Sequence, residues 1–171
     1  MFRPIGPLIA AVTLLVGSTR GQEPDSLPEQ AVQLIDGGPR QWFGSDRNAI
    51  QAAFGRPNSI DGRTVRNRHD STSVDSIVTL RYGTAIYVFY AVTKSHGDLL
   101  LEATIWDPRY LKRSPLQLGA SVSDVRRFFN DPSRGSTPYM TYSTAFEYTH
   151  TLELWFKNDR LVRMKWVYPV D

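Results

Sequence analysis

The chain has 171 residues, no cysteine and a formal net charge of +3 from 20 basic and 17 acidic side chains. The lack of cysteine excludes a disulfide framework and the lipid-modified cysteine of a lipoprotein, so we expect no lipid anchor and a fold held by its core alone. Nucleic-acid-binding proteins draw most of their affinity from clustered basic residues, and the net charge of this chain is small. We therefore expect no nucleic-acid partner.

Residues 1–21 are predicted to be a secretory signal peptide. Arg3 is followed by an apolar stretch, Leu8–Val16, and then by small and polar residues. An apolar segment of roughly 7 to 15 residues is typical of a signal, whereas a membrane-spanning helix needs about 20. Cleavage after Ser18 or after Gly21 would fit the peptidase's preference for small residues. We therefore expect an exported protein, periplasmic or secreted, with no membrane span.

Residues 22–42 are predicted to be a flexible N-terminal segment with a short helix over Glu29–Ile35. The remaining chain is predicted to divide into a first repeat over residues 43–108, a linker over 109–117 and a second repeat over 118–171.

The repeats are predicted from a pattern shared by residues 43–57 and 118–132. Five features match in order: a glycine (Gly44, Gly119), an N-cap (Asp46, Ser121), two apolar positions (Ile50 and Phe54, Val125 and Phe129), a helix-ending residue (Gly55, Asn130) and a proline (Pro57, Pro132). Asp46 or Ser121 can cap the free N–H groups of a helix start, and Ser121 with Asp124 forms a capping-box variant. Glycine or asparagine, with proline shortly after, ends a helix. Each two-turn helix would then need a surface for its apolar face.

Strands are predicted after each helix from β-branched and aromatic residues around short turns. They are Ile77–Tyr82, Ala85–Tyr90 and Leu99–Trp106 in the first half, and Tyr139–Tyr148, Thr151–Phe156 and Leu161–Val167 in the second. A polar, arginine-rich stretch, Asn58–Ser76, separates the first helix from its strands. The last strand alternates in polarity, and the side chains expected to face the core are Val162, Met164, Trp166 and Tyr168.

The two halves also match at their ends, where the second is a shortened version of the first. The corresponding residues are Leu101, Ala103, Ile105 and Pro108 with Val162, Met164, Trp166 and Pro169. The predicted fold is α+β: two tandem helix-plus-antiparallel-meander repeats, with the helices packed on one face of an antiparallel sheet. The alternative is a chance similarity between two short α/β units.

The pattern from Gly44 to Pro57, repeated from Gly119 to Pro132 and followed by a tyrosine-rich meander, resembles the SmpA/OmlA (BamE-like) outer-membrane assembly lipoproteins. In tandem it is similar to the β-lactamase-inhibitor-protein (BLIP-like) fold. The resemblance covers residues 43–169 and implies a non-enzymatic protein of the cell envelope, with an assembly or inhibitor-like role, that binds a protein partner through its sheet face or loops. The lipidated cysteine of the first family and the disulfides of the second are absent from this sequence.

No catalytic residue, cofactor site or metal site is expected from the titratable residues. His69, His96 and His150 have no spacing that converges on a metal. His69 is followed by Asp70 and Ser71, but a hydrolase triad is assembled from separate segments and not from sequence neighbours.

An alternative function is a small-ligand carrier or a hydrolase with a site between the repeats. Its polar residues would be Glu102, His150 or Glu153, converging in a concave pocket.

The aromatic residues are the better indication of function. They exceed what two short helices can cover, so some are expected on the other face of the sheet, where tyrosine and tryptophan give a protein-binding surface large contact area at small entropic cost. Strand alternation turns Trp155 away from Leu154 and Phe156. The predicted partner-binding residues are Trp155, Tyr142 and Tyr148. The alternative is that these aromatic residues fill a second core layer beneath the long loops.

Overall fold

The structure, a computed structural model, describes residues 27–67, 69–95, 97–144 and 149–169. Within these ranges the helices are α1 (Glu29–Asp36), α2 (Gly38–Phe43), α3 (Arg47–Phe54) and α4 (Val122–Phe128), and a short 3₁₀ helix spans Pro108–Leu111. The strands are β1 (Ser59–Arg66), β2 (Val74–Arg81), β3 (Ala85–Val92), β4 (Gly97–Ile105), β5 (Tyr139–Ser143), β6 (Thr151–Lys157) and β7 (Arg160–Val167). None of these helices has the length and apolarity that crossing a membrane requires. The predicted signal peptide, residues 1–21, lies outside the described residues.

The seven strands form one antiparallel sheet in the order β1-β2-β3-β4-β7-β6-β5. β4 therefore pairs with β7, a strand far from it in sequence. In this pairing Ala103 lies opposite Trp166 and Ile105 lies opposite Met164, and all four side chains are fully buried. One face of the sheet thus carries the core, as is common for antiparallel sheets. The predicted α+β class with an antiparallel sheet is confirmed.

Helices α3 and α4 begin and end as their sequences predict. The Asp46 carboxylate accepts a hydrogen bond of 2.9 Å from the backbone N–H three residues on. At α4 both hydrogen bonds of a capping box join Ser121 and Asp124. Gly55, after α3, and Asn130, shortly after α4, have positive φ angles of 77° and 53°. These are residue types that tolerate the left-handed region, where the chain leaves a helix.

The apolar faces of α3 and α4 are covered. Ile50, Val125 and Phe129 are fully buried. Phe54 is half-buried, and its ring lies 5.4 Å from that of Tyr82 and 5.1 Å from that of Tyr87, between centroids. Helices of two turns are marginal in isolation, so these contacts with the strands supply most of their stability.

The helix predicted at Glu29–Ile35 is present as α1, and it packs in the core. Leu34 and Ile35 are buried, and the Trp166 indole N–H donates a hydrogen bond of 2.9 Å to the Leu34 carbonyl oxygen. The described part of the segment predicted to be flexible, from residue 27 onward, is therefore held in place. Its apolar side chains complete the cover over the sheet, which no local pattern could indicate.

The sequence pattern predicts neither β1 nor α2. β1 lies within the polar, arginine-rich stretch Asn58–Ser76, for which the sequence pattern predicts no strand. It is an edge strand with almost every side chain exposed, Ile60 included. A strand with both faces exposed to solvent shows no alternation of apolar and polar residues. Charged residues are common on edge strands because they discourage pairing with other chains.

Val162 does not face the core, contrary to the alternation predicted for the last strand; its side chain is 40% exposed. Across β6 and β7, Trp155 pairs with Arg163 and Phe156 pairs with Leu161, so Val162 has no partner. This one-residue β-bulge moves Leu161 into the core position instead.

A second bulge occurs in β4 at Leu101. Val88 pairs with Glu102 and Phe89 pairs with Leu100, which leaves Leu101 unpartnered. Leu100 is fully buried beside the bulge, as Leu161 is in β7.

Two buried tyrosines differ in whether their hydroxyl groups are hydrogen-bonded. Tyr87 Oη is buried and has no hydrogen-bond partner among the described residues, and burial raises the pKa of this phenol. Tyr142 Oη donates a hydrogen bond of 2.9 Å to the Asp131 carboxylate.

We expect opposite effects from the same chemical change at these two positions. Tyr87→Phe should raise the free energy of unfolding by up to about 1 kcal/mol, because it removes an unsatisfied buried polar group, whereas Tyr142→Phe should lower it by about 1 kcal/mol. Urea unfolding followed by circular dichroism measures both. A Tyr87→Phe protein that is destabilised as much as Tyr142→Phe would show that the Tyr87 hydroxyl has a partner.

Candidate functional site

The sheet has an outer face, on the side opposite the core, whose residues alternate with buried neighbours. Thr104 lies on it between the buried Ala103 and Ile105, and Lys165 lies on it between Met164 and Trp166. This face carries a cleft of about 710 Å³ over β3, β4, β6 and β7, here called the tryptophan cleft. Its lining residues are Ile86, Thr104, Trp106, Trp155, Phe156, Lys157, Val162 and Arg163.

Trp155 forms one wall of the tryptophan cleft, as a half-buried side chain between the buried Leu154 and Phe156. The Arg163 guanidinium lies 3.8 Å from the centre of its ring, a cation–π contact. Tyr139 is its cross-strand partner, with 5.2 Å between the ring centroids. The indole is thereby held in a fixed orientation, which lowers the entropic cost of contacting a partner.

Two of the exposed large apolar residues line this cleft. Trp106 is 36% exposed, and Val162 reaches the same cleft because the β7 bulge removes it from the core. Lys157 and Arg163 are the charged residues among the described residues that line it, and none of these is a carboxylate. The cleft can therefore receive an apolar side chain flanked by acidic groups.

Tyr142 is not on this face. It is 5% exposed, and its ring stacks on that of Phe129 at 3.8 Å between centroids. The register explains this placement: Tyr142 pairs with Leu152, whereas Trp155 pairs with Tyr139, and paired residues point to the same side. Tyr139 is thus the β5 tyrosine that accompanies Trp155, as strand alternation across the hairpin could have indicated. Tyr148 lies outside the described residues.

The three polar residues of the alternative function do not converge. Glu102 pairs with Lys165 at 3.0 Å, and Glu153 lies opposite Lys165 in the sheet, so both glutamates are on the outer face. His150 lies on the core side of the sheet, where its Nδ1 is 2.9 Å from Asp36 Oδ1.

The contact between His150 and Asp36 has the residue types of a catalytic pair but not the geometry of one. The Thr144 hydroxyl donates to the same Asp36 oxygen, at 2.7 Å, and therefore does not donate to the imidazole. A hydroxyl nucleophile has to be hydrogen-bonded to its base. This cluster therefore joins α1 to the chain between β5 and β6.

Asp70, the middle residue of the His69-Asp70-Ser71 run, has a structural role. Its carboxylate accepts hydrogen bonds from Thr72 and Ser73 and forms an ion pair with Lys94. The Lys94 contact is the largest cause that lowers the pKa of Asp70, followed by the two hydroxyl groups. These contacts order the turn between β1 and β2.

Groups of three or more histidine and carboxylate residues placed to hold a metal ion are absent from the described part of the chain. No known family model, curated protein or solved structure matches this chain. The resemblance to the SmpA/OmlA lipoproteins and to the β-lactamase-inhibitor-protein fold stays a prediction from the sequence.

Proposed function

We propose that the chain is an exported, non-enzymatic protein-binding module of the cell envelope, and that the tryptophan cleft is its contact surface. The observation that carries this proposal is the cleft itself, in which Trp106, Trp155 and Arg163 stand together on the outer face. Tryptophan, tyrosine and arginine are enriched among the residues that dominate binding energy in protein interfaces. Export is supported by the charged start and apolar stretch of residues 1–21.

The partner is expected to offer an apolar side chain with a carboxylate beside it. The apolar group would fill the space between Trp106 and Trp155, where Val162 is also accessible. The carboxylate would face Lys157 and Arg163, whose charges are not neutralised by any acid among the described lining residues. Charge complementarity of this kind mainly sets specificity and the association rate, while the buried aromatic contact sets the affinity.

The proposal includes a finer description of the fold, in which the two halves are equivalent BLIP-like repeats. The bulge at Leu101 and the bulge at Val162 occupy matched positions in the sequence alignment of the halves. Bulges are conserved within protein families, so two bulges at equivalent positions favour a shared architecture of the two halves over a chance similarity between them.

A second pair of contacts supports the same description. Phe54 of α3 packs on Tyr82 at 5.4 Å between centroids, and Phe129, which follows α4, packs on Tyr142 at 3.8 Å. Each phenylalanine stands at the end of its helix, and each tyrosine lies in or directly after a strand that follows. In this proposal the helices of both repeats cover one face of the sheet and leave the tryptophan cleft on the other.

The test is affinity capture of the partner from the envelope fraction of the source cells, followed by a binding measurement with the purified partner. Trp155→Ala should weaken binding about 30-fold or more, as expected for an interface residue worth about 2 kcal/mol. Arg163→Gln should weaken it less, mainly through the association rate.

Val74→Ala is the matched control, because Val74 is an exposed apolar residue outside the tryptophan cleft. It should bind as the unaltered protein does, and thermal unfolding should show that all variants are folded. Equal binding by Trp155→Ala and Val74→Ala would refute the proposed contact surface.

A further inference from the structure

The outer face carries a second cleft, of about 530 Å³, at the opposite end of β3 and β4. Four side chains form one row across four strands: Arg63 of β1 pairs with Ile77, Ile77 pairs with Tyr90, and Tyr90 pairs with Leu99 of β4. The row crosses three inter-strand steps, so it is roughly 14 Å long. We call the concavity along this row the transverse cleft.

The transverse cleft has an apolar floor and a basic rim. Val65, Val92 and Leu101 extend the floor. Leu101 reaches it because the bulge, at which this residue has no partner on β3, turns its side chain to the outer face. Arg66 and His69 join Arg63 at the rim, and no carboxylate lines the cleft in the part of the chain that the structure describes. Within the described ranges neither Arg63 nor Arg66 forms an ion pair. The cleft therefore combines apolar surface with two arginines that form no ion pair among the described residues.

Asp75, the carboxylate next to this row in β2, is fully buried and already occupied. It accepts hydrogen bonds from the Tyr90 hydroxyl at 2.7 Å, the Asn67 amide at 2.6 Å and the Thr93 backbone N–H at 2.9 Å. The bond from Tyr90 is the largest cause that lowers the pKa of Asp75. These contacts hold the Tyr90 ring and the Asn67 side chain in the lining of the cleft.

The direction of the transverse cleft decides what kind of ligand fits. A chain that lies across the strands meets only side chains, because the backbone groups of β2 and β3 are paired within the sheet. A peptide in this position would bury amide groups without partners, which is costly. A hydrocarbon chain has no such groups. About 14 Å accommodates roughly eleven carbon atoms in an extended chain with C–C bonds of about 1.5 Å.

We propose that the transverse cleft binds a single-chain amphiphile with a carboxylate head, in the manner of a fatty acid. The acyl chain lies along Ile77, Tyr90 and Leu99, and the carboxylate lies at the β1 edge beside Arg63, where Arg66 also lines the cleft. The volume is within the range of small-molecule sites, and an apolar lining with a few convergent polar groups is their usual composition. The guanidinium groups are suited to a carboxylate because they can donate two parallel hydrogen bonds to it.

Calorimetric titration of the full chain with sodium dodecanoate, below its micellar concentration, tests the proposal. We expect saturable one-to-one binding. Octanoate should bind at least tenfold more weakly, because each buried methylene contributes about fourfold in affinity. Dodecan-1-ol, which has the same tail without the charge, should also bind at least tenfold more weakly.

Variants assign the binding to this cleft. The double substitution Arg63→Gln with Arg66→Gln should reduce dodecanoate affinity at least tenfold, and Leu99→Glu should abolish binding. Both variants alter exposed side chains, and thermal unfolding verifies that they fold. Lys157→Gln, which removes a cation from the tryptophan cleft, is the matched control and should leave binding unchanged.

Three results would overturn the proposal. The first is dodecanoate binding that persists in Leu99→Glu, and the second is equal affinity for dodecanoate and dodecan-1-ol. The third is displacement of dodecanoate by an acidic peptide of alternating Asp and Leu, if the peptide displaces it at a lower concentration than octanoate does. None of these measurements depends on Trp155. A failure of the proposed protein binding can therefore be distinguished from a failure of the proposed amphiphile binding.

Discussion

Gly38→Ala is expected to lower the free energy of unfolding by about 3 kcal/mol or more. A Cβ atom at this position would lie 2.4 Å from the Trp166 indole nitrogen, and the backbone φ angle of +35° is one that residues with a side chain rarely adopt. Overpacking a core costs about 1 to 3 kcal/mol and left-handed backbone about 1 to 2 kcal/mol. The indole would also have to give up its hydrogen bond to Leu34. Urea unfolding measures the loss.

Gly62→Ala provides the control for that experiment. Gly62 lies in the edge strand β1, where an added Cβ meets nothing within 4 Å and the backbone is not left-handed. Its substitution should leave stability unchanged or raise it slightly, since alanine restricts the unfolded chain more than glycine does. Equal stability of the two variants would mean that α2 does not pack against Trp166 as the structure shows.

Phe129→Ala is expected to cost about 3 to 5 kcal/mol, the usual range for a fully buried phenylalanine. The side chain is 0% exposed and stacks on Tyr142, so its removal leaves a cavity and frees the Tyr142 ring. The neighbouring Phe128→Ala should cost clearly less, because Phe128 is only half-buried. Thermal unfolding of both variants checks the ranking.

The ranking of the two phenylalanines also tests how α4 is oriented. If Phe128→Ala were the more damaging change, Phe128 rather than Phe129 would point into the core. That result would contradict the matched Phe54–Tyr82 and Phe129–Tyr142 contacts, and with them the proposal of two equivalent repeats.

A β-bulge contributes one apolar residue to each of the two clefts of the outer face. Leu101 in the transverse cleft and Val162 in the tryptophan cleft are both bulge residues, displaced from the core face of their strands. Each proposed binding surface therefore combines side chains placed by regular alternation, such as Trp155 and Ile77, with one placed by a bulge.

The features that the sequence by itself determined are local. Asp46 and Ser121 cap their helices, Gly55 and Asn130 end them, and the α+β class follows from short-range patterns of this kind. Each depends on hydrogen bonds and side-chain spacing within a few residues, so the same atoms that define the pattern also stabilise the element.

Tertiary structure alone decided which strands meet and which side chains reach the surface. The pairing of β4 with β7 joins segments that are distant in sequence. β1 is a strand because its backbone pairs with that of β2. The bulge that exposes Val162 and the hairpin register that buries Tyr142 shift side chains between the faces of the sheet by a single residue. Strand periodicity is two, so a one-residue change in register reverses what is buried, and only the packed sheet determines where that change occurs.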